Sequence, residues 1–186
     1  AHLVGNGVHF PDAFSVRSGR ADGTIILAGD NTTVDGVVDA RGIEASGVTL
    51  ARLTANAHLI NGVGQVRAAF AGRRGAAFAF STLADITPDA IRVTGSGRVE
   101  REPLVLNQAA VFTRSGDGWA MAPSSLNFAG GSAVVSGRSG SRPEVHAQVQ
   151  AMPLEVLDLA WPSLDLSGAA TGRLDYAWKG NRNGRL

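Results

Sequence analysis

Apolar and polar residues alternate with a period of two along most of this chain. Residues 144–152 are the clearest case, because valine or alanine occupies one set of alternate positions and histidine or glutamine fills most of the other. The segment Val48–Ile60 is long enough for a helix, but its leucines and alanines alternate with polar residues, so we predict a strand. Strict alternation gives each strand a single apolar face, which favours antiparallel pairing over a parallel sheet covered on both sides.

Glycine and asparagine predict where the strands turn. Asn61 followed by Gly62 is a strong hairpin signal. We predict further turns at residues 20–23 and 72–75, and a bend or bulge at Gly95 and Gly97. The pattern as a whole predicts well over a dozen short strands.

One segment departs from the period of two. In residues 153–161 the leucines fall near helical spacing, Pro153 suits a first helical turn, and Pro162 ends the segment. We therefore predict one short apolar helix at 153–161. Alternation resumes at residues 172–179, so the helix is interpreted as a plug, cap or spacer on a long sheet.

The apolar face of such a sheet has to be covered. A β-sandwich or a closed barrel would cover it with protein, whereas an open, curved sheet leaves it for something else. Alanine, valine and leucine dominate the apolar positions, and the seven phenylalanines are spread thinly over the chain. This even distribution favours a channel of constant cross-section, with the ordinary β-sandwich as the alternative.

Composition narrows the function classes further. The net charge of +1 provides no basic field for nucleic acid, and the absence of cysteine excludes thiol catalysis and disulfides. No run of 18 apolar residues is present. Because both ends interrupt the strand pattern, we expect residues 1–186 to be a single internal fragment of a longer protein.

No catalytic constellation is visible in the sequence. The four histidines are scattered, and His58 and His146 lie on polar sides of strands, where we expect them to be solvated. Two pairs of aspartates beside proline turns are explained better by capping than by acid–base chemistry. Arg98 and Arg101 form one of two basic clusters, interpreted as solvated edge positions, with a lipid headgroup contact as the alternative. We expect no enzyme activity, no cofactor and no metal.

Two sequence segments in the last third of the chain resemble those of a known protein family. They are DGWAMAPSSLNFAGGSAVVSGR at residues 117–138 and PLEVLDLAWPSLDLSGAATGRLD at residues 153–175. The chain resembles the TamB family (translocation and assembly module), within the AsmA-like, bridge-type lipid-transport proteins of the Gram-negative envelope. The resemblance implies an all-β, elongated antiparallel sheet folded into a U-shaped β-taco, whose apolar groove conducts phospholipid acyl chains through the periplasm. It also implies that the full-length protein has an N-terminal inner-membrane anchor and a C-terminal domain, neither of which we expect within residues 1–186. An outer-membrane barrel of the TamA type is the partner that the resemblance implies.

The groove lining is assigned from alternation, and a slip of one residue would invert a whole strand. The predicted lining residues are Val66, Ala68, Phe70, Phe78, Phe80, Leu104, Leu106, Phe112, Val145, Val149, Leu174, Tyr176 and Trp178. The predicted helix contributes Leu154, Val156 and Leu157, lying across or inside the groove.

Three functions from different classes follow. The preferred hypothesis is a groove segment that holds and conducts phospholipid acyl chains between the inner and outer membranes. The alternative is a scaffold or chaperone for outer-membrane β-barrel assembly and secretion, acting through its own sheet edges. A third is a closed, protein-cored β domain that acts as an adhesin or sugar binder. Enzymatic activity is the least favoured of the functions considered.

Overall fold

The computed structural model describes residues 2–10, 14–29, 31–45, 47–159 and 167–177. Within these residues, thirteen strands and one short 3₁₀ helix form a single antiparallel sheet with a helical insertion. The strands are β1 (His2–Phe10), β2 (Phe14–Ala28), β3 (Asn31–Ala45), β4 (Val48–Ile60), β5 (Val63–Arg74), β6 (Ala76–Ile86), β7 (Ala90–Val99), β8 (Glu102–Leu106), β9 (Ala110–Ser115), β10 (Gly118–Phe128), β11 (Gly131–Arg138), β12 (Glu144–Pro153) and β13 (Ala169–Ala177). The 3₁₀ helix, Leu154–Leu159, lies between β12 and β13.

Nearly every strand pairs with the strand that follows it in the chain. The exception is the pair β8 and β9, which share one position in the sheet because both pair with β7 on one side and β10 on the other. Residues 107–109 separate these two half-strands. The predicted all-β, elongated and curved antiparallel sheet is thus confirmed. Among the described residues, no helix is long and apolar enough to cross a bilayer.

The Asn61–Gly62 hairpin is confirmed, since both residues adopt the positive φ angles, 53° and 76°, of a type I′ turn. The predicted turn at residues 20–23 is wrong, because β2 continues through it for 15 residues. Its glycine does not turn the chain: Gly23 lies opposite Gly36 in β3. The strands are accordingly longer than predicted.

Two other glycine predictions also need correction. Residues 72–74 remain in β5, and Gly75 alone, with φ of 65°, makes the turn. The bulge predicted at Gly95 and Gly97 is wrong, because β6 and β7 pair in continuous register past both residues. A Cβ at Gly97 would collide with the Phe80 ring, so this glycine makes room for a neighbouring side chain.

The chain exposes far more surface than a compact monomer. Its accessible surface is 12449 Å², against roughly 8,400 Å² for a compact protein of this mass. Among the described residues, the buried apolar side chains are few, and the central ones are Val99, Phe128, Ala133 and Met152. A sandwich of this many strands would bury two whole faces, so these burial values exclude the protein-covered alternative for most of the sheet.

The short helix covers the small core. It begins where the Leu154 backbone N–H donates to the Gly168 carbonyl, at 2.9 Å, and its Val156 packs against the core cluster. The prediction placed a helix at 153–161; the structure has a 3₁₀ helix of six residues there. Six residues are too few for a stable isolated α-helix, so the segment depends on this packing.

Candidate functional site

The pairing register determines which side chains share a face of the sheet. Residues directly opposite each other in an antiparallel pair point to the same side. One uninterrupted line of opposed residues, here called the long row, crosses eleven strands from β2 to β13. It consists of Ile25, Val34, Leu59, Gly64, Ile86, Ile91, Phe112, Met121, Gly137, Val145 and Tyr176.

Every member of the long row is apolar, aromatic or glycine, and protein covers the row only in part. Ile25 at one end is 68% exposed, and Val145 and Tyr176 at the other end are 40% and 47% exposed. The members between them are half-buried. At about 4.8 Å per strand, ten spacings give a continuous apolar track of about 48 Å.

A second line on the same face is here called the phenylalanine row. It consists of Gly5, Gly19, Ala40, Leu53, Phe70, Phe80, Gly97, Leu104, Phe128 and Gly131. Phe70 and Phe80 stack at 5.6 Å between ring centroids, and Phe78 lies 5.9 Å from Phe80. This row meets the buried core at Phe128, so protein covers its end at β10.

The structure brings the described members of the predicted groove lining together on this apolar face. They are Val66, Ala68, Phe70, Phe78, Phe80, Leu104, Leu106, Phe112, Val145, Val149, Leu174 and Tyr176. Their role in binding lipid stays a prediction. Trp178 lies outside the described residues.

The predicted helix residues lie where the helix meets the sheet. Leu154 and Val156 are half-buried, and Val156 contacts the core. Leu157 belongs to the helix, but its side chain lies outside the described part of the chain. Among the helix side chains that the structure describes, Val156 thus packs at the margin of the apolar face where the buried core lies.

The opposite face, here called the polar face, is mostly polar, although it also exposes Ile26, Ile60 and Val63 on neighbouring strands. It carries histidine–aspartate pairs that the sequence analysis did not predict. Within the described residues, His58 Nδ1 lies 2.5 Å from Asp35 Oδ1, and His146 Nδ1 lies 2.7 Å from Asp175 Oδ1. Each pair joins neighbouring strands at directly opposed positions. Both histidines are more than half exposed, as predicted, but each has a carboxylate partner.

Two carboxylates on the surface have lowered pKa values. Hydrogen bonds from His2 and Arg20 hold the pKa of Asp22 below its ordinary value. The Ser141 backbone N–H donates to Asp117 Oδ2 at 2.8 Å and lowers the pKa of that carboxyl. Asp117 therefore ties the turn before β10 to the loop after β11. Among the described residues, no three acidic or histidine side chains are grouped as metal ligands would be.

The fold and its two faces define a class: an elongated antiparallel sheet with one continuous apolar face and one mostly polar face. Comparisons with models of protein families, with curated proteins and with solved structures found no match. Function is therefore inferred from the geometry of the two faces.

Proposed function

We propose that the apolar face binds phospholipid acyl chains along the long row and lets them move across the strands. The observation that carries this proposal is the unbroken apolar row over eleven strands, half-exposed in its middle and more than 40% exposed near its ends. Soluble proteins rarely expose contiguous apolar surface of this extent unless it binds a partner.

The energetics suit a ligand that binds firmly and still slides. An acyl chain gains about 0.8 kcal/mol for each methylene removed from water, without directional requirements. Most positions in the row carry aliphatic side chains that differ by only a few carbon atoms, such as Val34, Leu59 and Ile86, and glycine occupies two positions of the row. A chain displaced by one strand therefore exchanges one aliphatic contact for a similar one, and the barrier to movement is low.

The resemblance to the TamB family extends this proposal to the cell. In this extension the full-length protein is anchored in the inner membrane of a Gram-negative cell, and this segment lies in the periplasm as part of a U-shaped β-taco. A TamA-type outer-membrane barrel is the proposed partner. The long row of about 48 Å accommodates lipid but is shorter than the gap between two membranes, so the segment would act as one part of a longer conduit.

The proposal is tested by measuring phospholipid that co-purifies with the protein, using native mass spectrometry. Phe112→Asp introduces a carboxylate into the middle of the long row, and burying it against an acyl chain is strongly unfavourable. We expect lipid occupancy to fall by about tenfold or more. Val145→Asp, at a position already 40% exposed, should have the same effect with less risk to folding.

The matched control is Thr113→Asp, one residue along β9 on the opposite face. Thr113 lies opposite Ala90 in β7 and is exposed, so its replacement adds the same charge outside the apolar face. Lipid occupancy should stay at the wild-type value. If Phe112→Asp and Val145→Asp both retain full occupancy, the long row does not bind the lipid.

The barrel-assembly scaffold remains as the second candidate because of β13. Among the described residues this strand pairs with β12 alone, and eight of its nine residues are exposed. An extended edge can add a strand from another chain by backbone hydrogen bonding. A photo-cross-linker at Arg173 should then capture a barrel strand, and the Phe112→Asp change should leave that product unaffected.

A further inference from the structure

The polar face of β4–β7 contains a shallow depression framed by arginines. Arg52, Ala71, Ala79 and Arg98 lie directly opposite one another across these four strands. The arginines are therefore three strand spacings apart, about 14 Å between their Cα atoms, with alanines between them. The depression has a volume of about 550 Å³.

The next line of opposed residues adds hydroxyl groups to the floor. It consists of Thr54, Ala69, Ser81 and Ser96, all of which line the depression. An adjoining hollow of about 420 Å³ shares these four residues and brings in Arg67. Arg52 and Arg98 thus flank a depression lined mostly by small residues, with Phe70 and Phe80 also in its lining, and Arg67 lines the adjoining hollow.

The choice of small residues on this floor is not explained by strand stability. Alanine is a poor strand former at exposed positions, where threonine or longer side chains are favoured. Ala69 is exposed, and Ala71 and Ala79 are half-exposed, although they lie on the polar face. Their small size leaves open space between Arg52 and Arg98 that longer residues would fill.

Positive charge is concentrated in the same region. Residues 48–99 contain six arginines and two aspartates, whereas residues 2–47 contain three arginines and six acidic residues. Arg67 and Arg98 make no ion pair with any residue that the structure describes. Arg52 has one weak partner, Asp39, with an N···O distance of 3.4 Å.

The nearby carboxylates have other partners. Asp85, on β6, accepts a hydrogen bond from Gln65 at 2.8 Å. Glu100, just beyond β7, accepts one from the Ala77 backbone N–H at 2.6 Å. The positive charge of the arginines around the depression is therefore only partly compensated within the described chain.

We propose that this depression, called the arginine frame, binds a phosphate group. Guanidinium groups match phosphate oxygens in pairs and remain charged at any physiological pH. Arg98 and Arg52 converge on the anion from two sides, Arg67 contacts it from the neighbouring hollow, and the Ser81 and Ser96 hydroxyls donate from the floor. The phosphate is either free in solution or part of a phospholipid headgroup.

The test is an amide-shift titration by NMR with two probes at constant ionic strength: inorganic phosphate, and small vesicles of phosphatidylcholine containing phosphatidylglycerol. We expect saturable binding, with shifts centred on Ala69, Ala71 and Ala79. Saturable binding of inorganic phosphate would show that free phosphate is sufficient as the ligand of this site. Binding to the anionic vesicles alone, and not to pure phosphatidylcholine, identifies the lipid headgroup.

Arg98→Ala should weaken binding about tenfold or more, because it removes charge-assisted hydrogen bonds. The control is Arg92→Ala, which removes the same charge from the same strand and the same face but outside the depression. Arg98→Lys should restore only part of the affinity, since lysine lacks the paired donors.

Equal weakening by Arg92→Ala and Arg98→Ala would mean a diffuse charge effect and would overturn the proposal, as would the absence of saturable binding to both probes. Arg98 is exposed, so its loss should leave the fold intact, which circular dichroism verifies. The arginine frame lies on the face opposite the long row. Its failure would leave lipid binding by the apolar face untouched.

Discussion

The phenylalanine row and the long row lie on the same face of the sheet and have similar composition, but protein covers them differently. Phe128, in the phenylalanine row, is 3% exposed and packs with Val99 and Met152 under the short helix. In the long row, Ile25 is 68% exposed and Tyr176 is 47% exposed. One margin of the apolar face therefore stabilises the fold, while the other remains open to solvent, as the proposed lipid binding requires.

Side-chain size reinforces this difference. In the phenylalanine row a large ring lies opposite a glycine at two places: Phe80 opposite Gly97, where a Cβ would meet the ring, and Phe128 opposite Gly131. The long row is mostly aliphatic, as at Val34, Leu59 and Ile91, although two glycines and two aromatic residues also belong to it. Interdigitated large and small residues lock a structure in place, whereas a mostly aliphatic row provides similar contacts at most of its strands.

The largest expected effect comes from truncating the covered margin. Phe128→Ala removes a buried ring from the core, and we expect the free energy of unfolding to fall by about 3–5 kcal/mol. Chemical denaturation followed by circular dichroism measures this loss. The matched change on the exposed part of the same face is Leu174→Ala, at a residue that is 61% exposed.

Leu174→Ala should change stability by no more than about 0.5 kcal/mol. Equal losses for Phe128→Ala and Leu174→Ala would show that both parts of the face are covered in solution. In that case the division into a structural margin and an open row would be wrong.

A smaller effect is expected at the glycines. A Cβ at Gly97 would meet the Phe80 ring and the Ala79 carbonyl, so Gly97→Ala should cost about 1–3 kcal/mol through overpacking. Gly172 faces the same side on β13 and has no neighbouring atom within 4 Å of an added Cβ. Gly172→Ala should cause no loss of stability in thermal melting, and a loss equal to that of Gly97→Ala would contradict this account.

Much of the apolar face could be predicted from the sequence, because alternation alone determines which side chains of a strand share a face. In β4 and β12 the period of two is nearly unbroken, and the predicted strands agree with the structure to within a residue. The length of a strand was predicted wrongly where the strand continues through a glycine, because the glycine was interpreted as a turn. Gly23 illustrates this, since it lies inside β2 opposite another glycine.

Features that depend on register between strands could not be predicted. The His58–Asp35 pair requires knowing that β3 and β4 pair with these residues opposed. The arginine frame requires three such registers in succession, to bring Arg52 and Arg98 to the two ends of one line. Turn geometry and bulges set these registers, and the sequence pattern records neither reliably.

The smallest expected effect is at the exposed end of the sheet, where β1 pairs with β2. Hydrogen bonds from His2 and Arg20 lower the pKa of Asp22 below 3.8. A carboxyl whose folded pKa is lowered contributes stability above its unfolded pKa and loses it as the pH falls through the folded value. The pairing of β1 should therefore weaken only in strong acid, and by little, because these charges are exposed to solvent.

An NMR titration of the Asp22 carboxyl carbon measures this directly, and its midpoint should lie below 3.8. Amide exchange in β1 should accelerate in the wild type when the pH falls below that midpoint. In Asp22→Asn, which lacks the titrating carboxyl, this acceleration should be absent. The core residues around Phe128 should keep their protection over the same pH range, because no carboxyl belongs to that cluster. A midpoint at or above the ordinary value of an aspartate would mean that His2 does not pair with Asp22 across the two strands, and that backbone pairing with β2 keeps β1 in place without this ion pair.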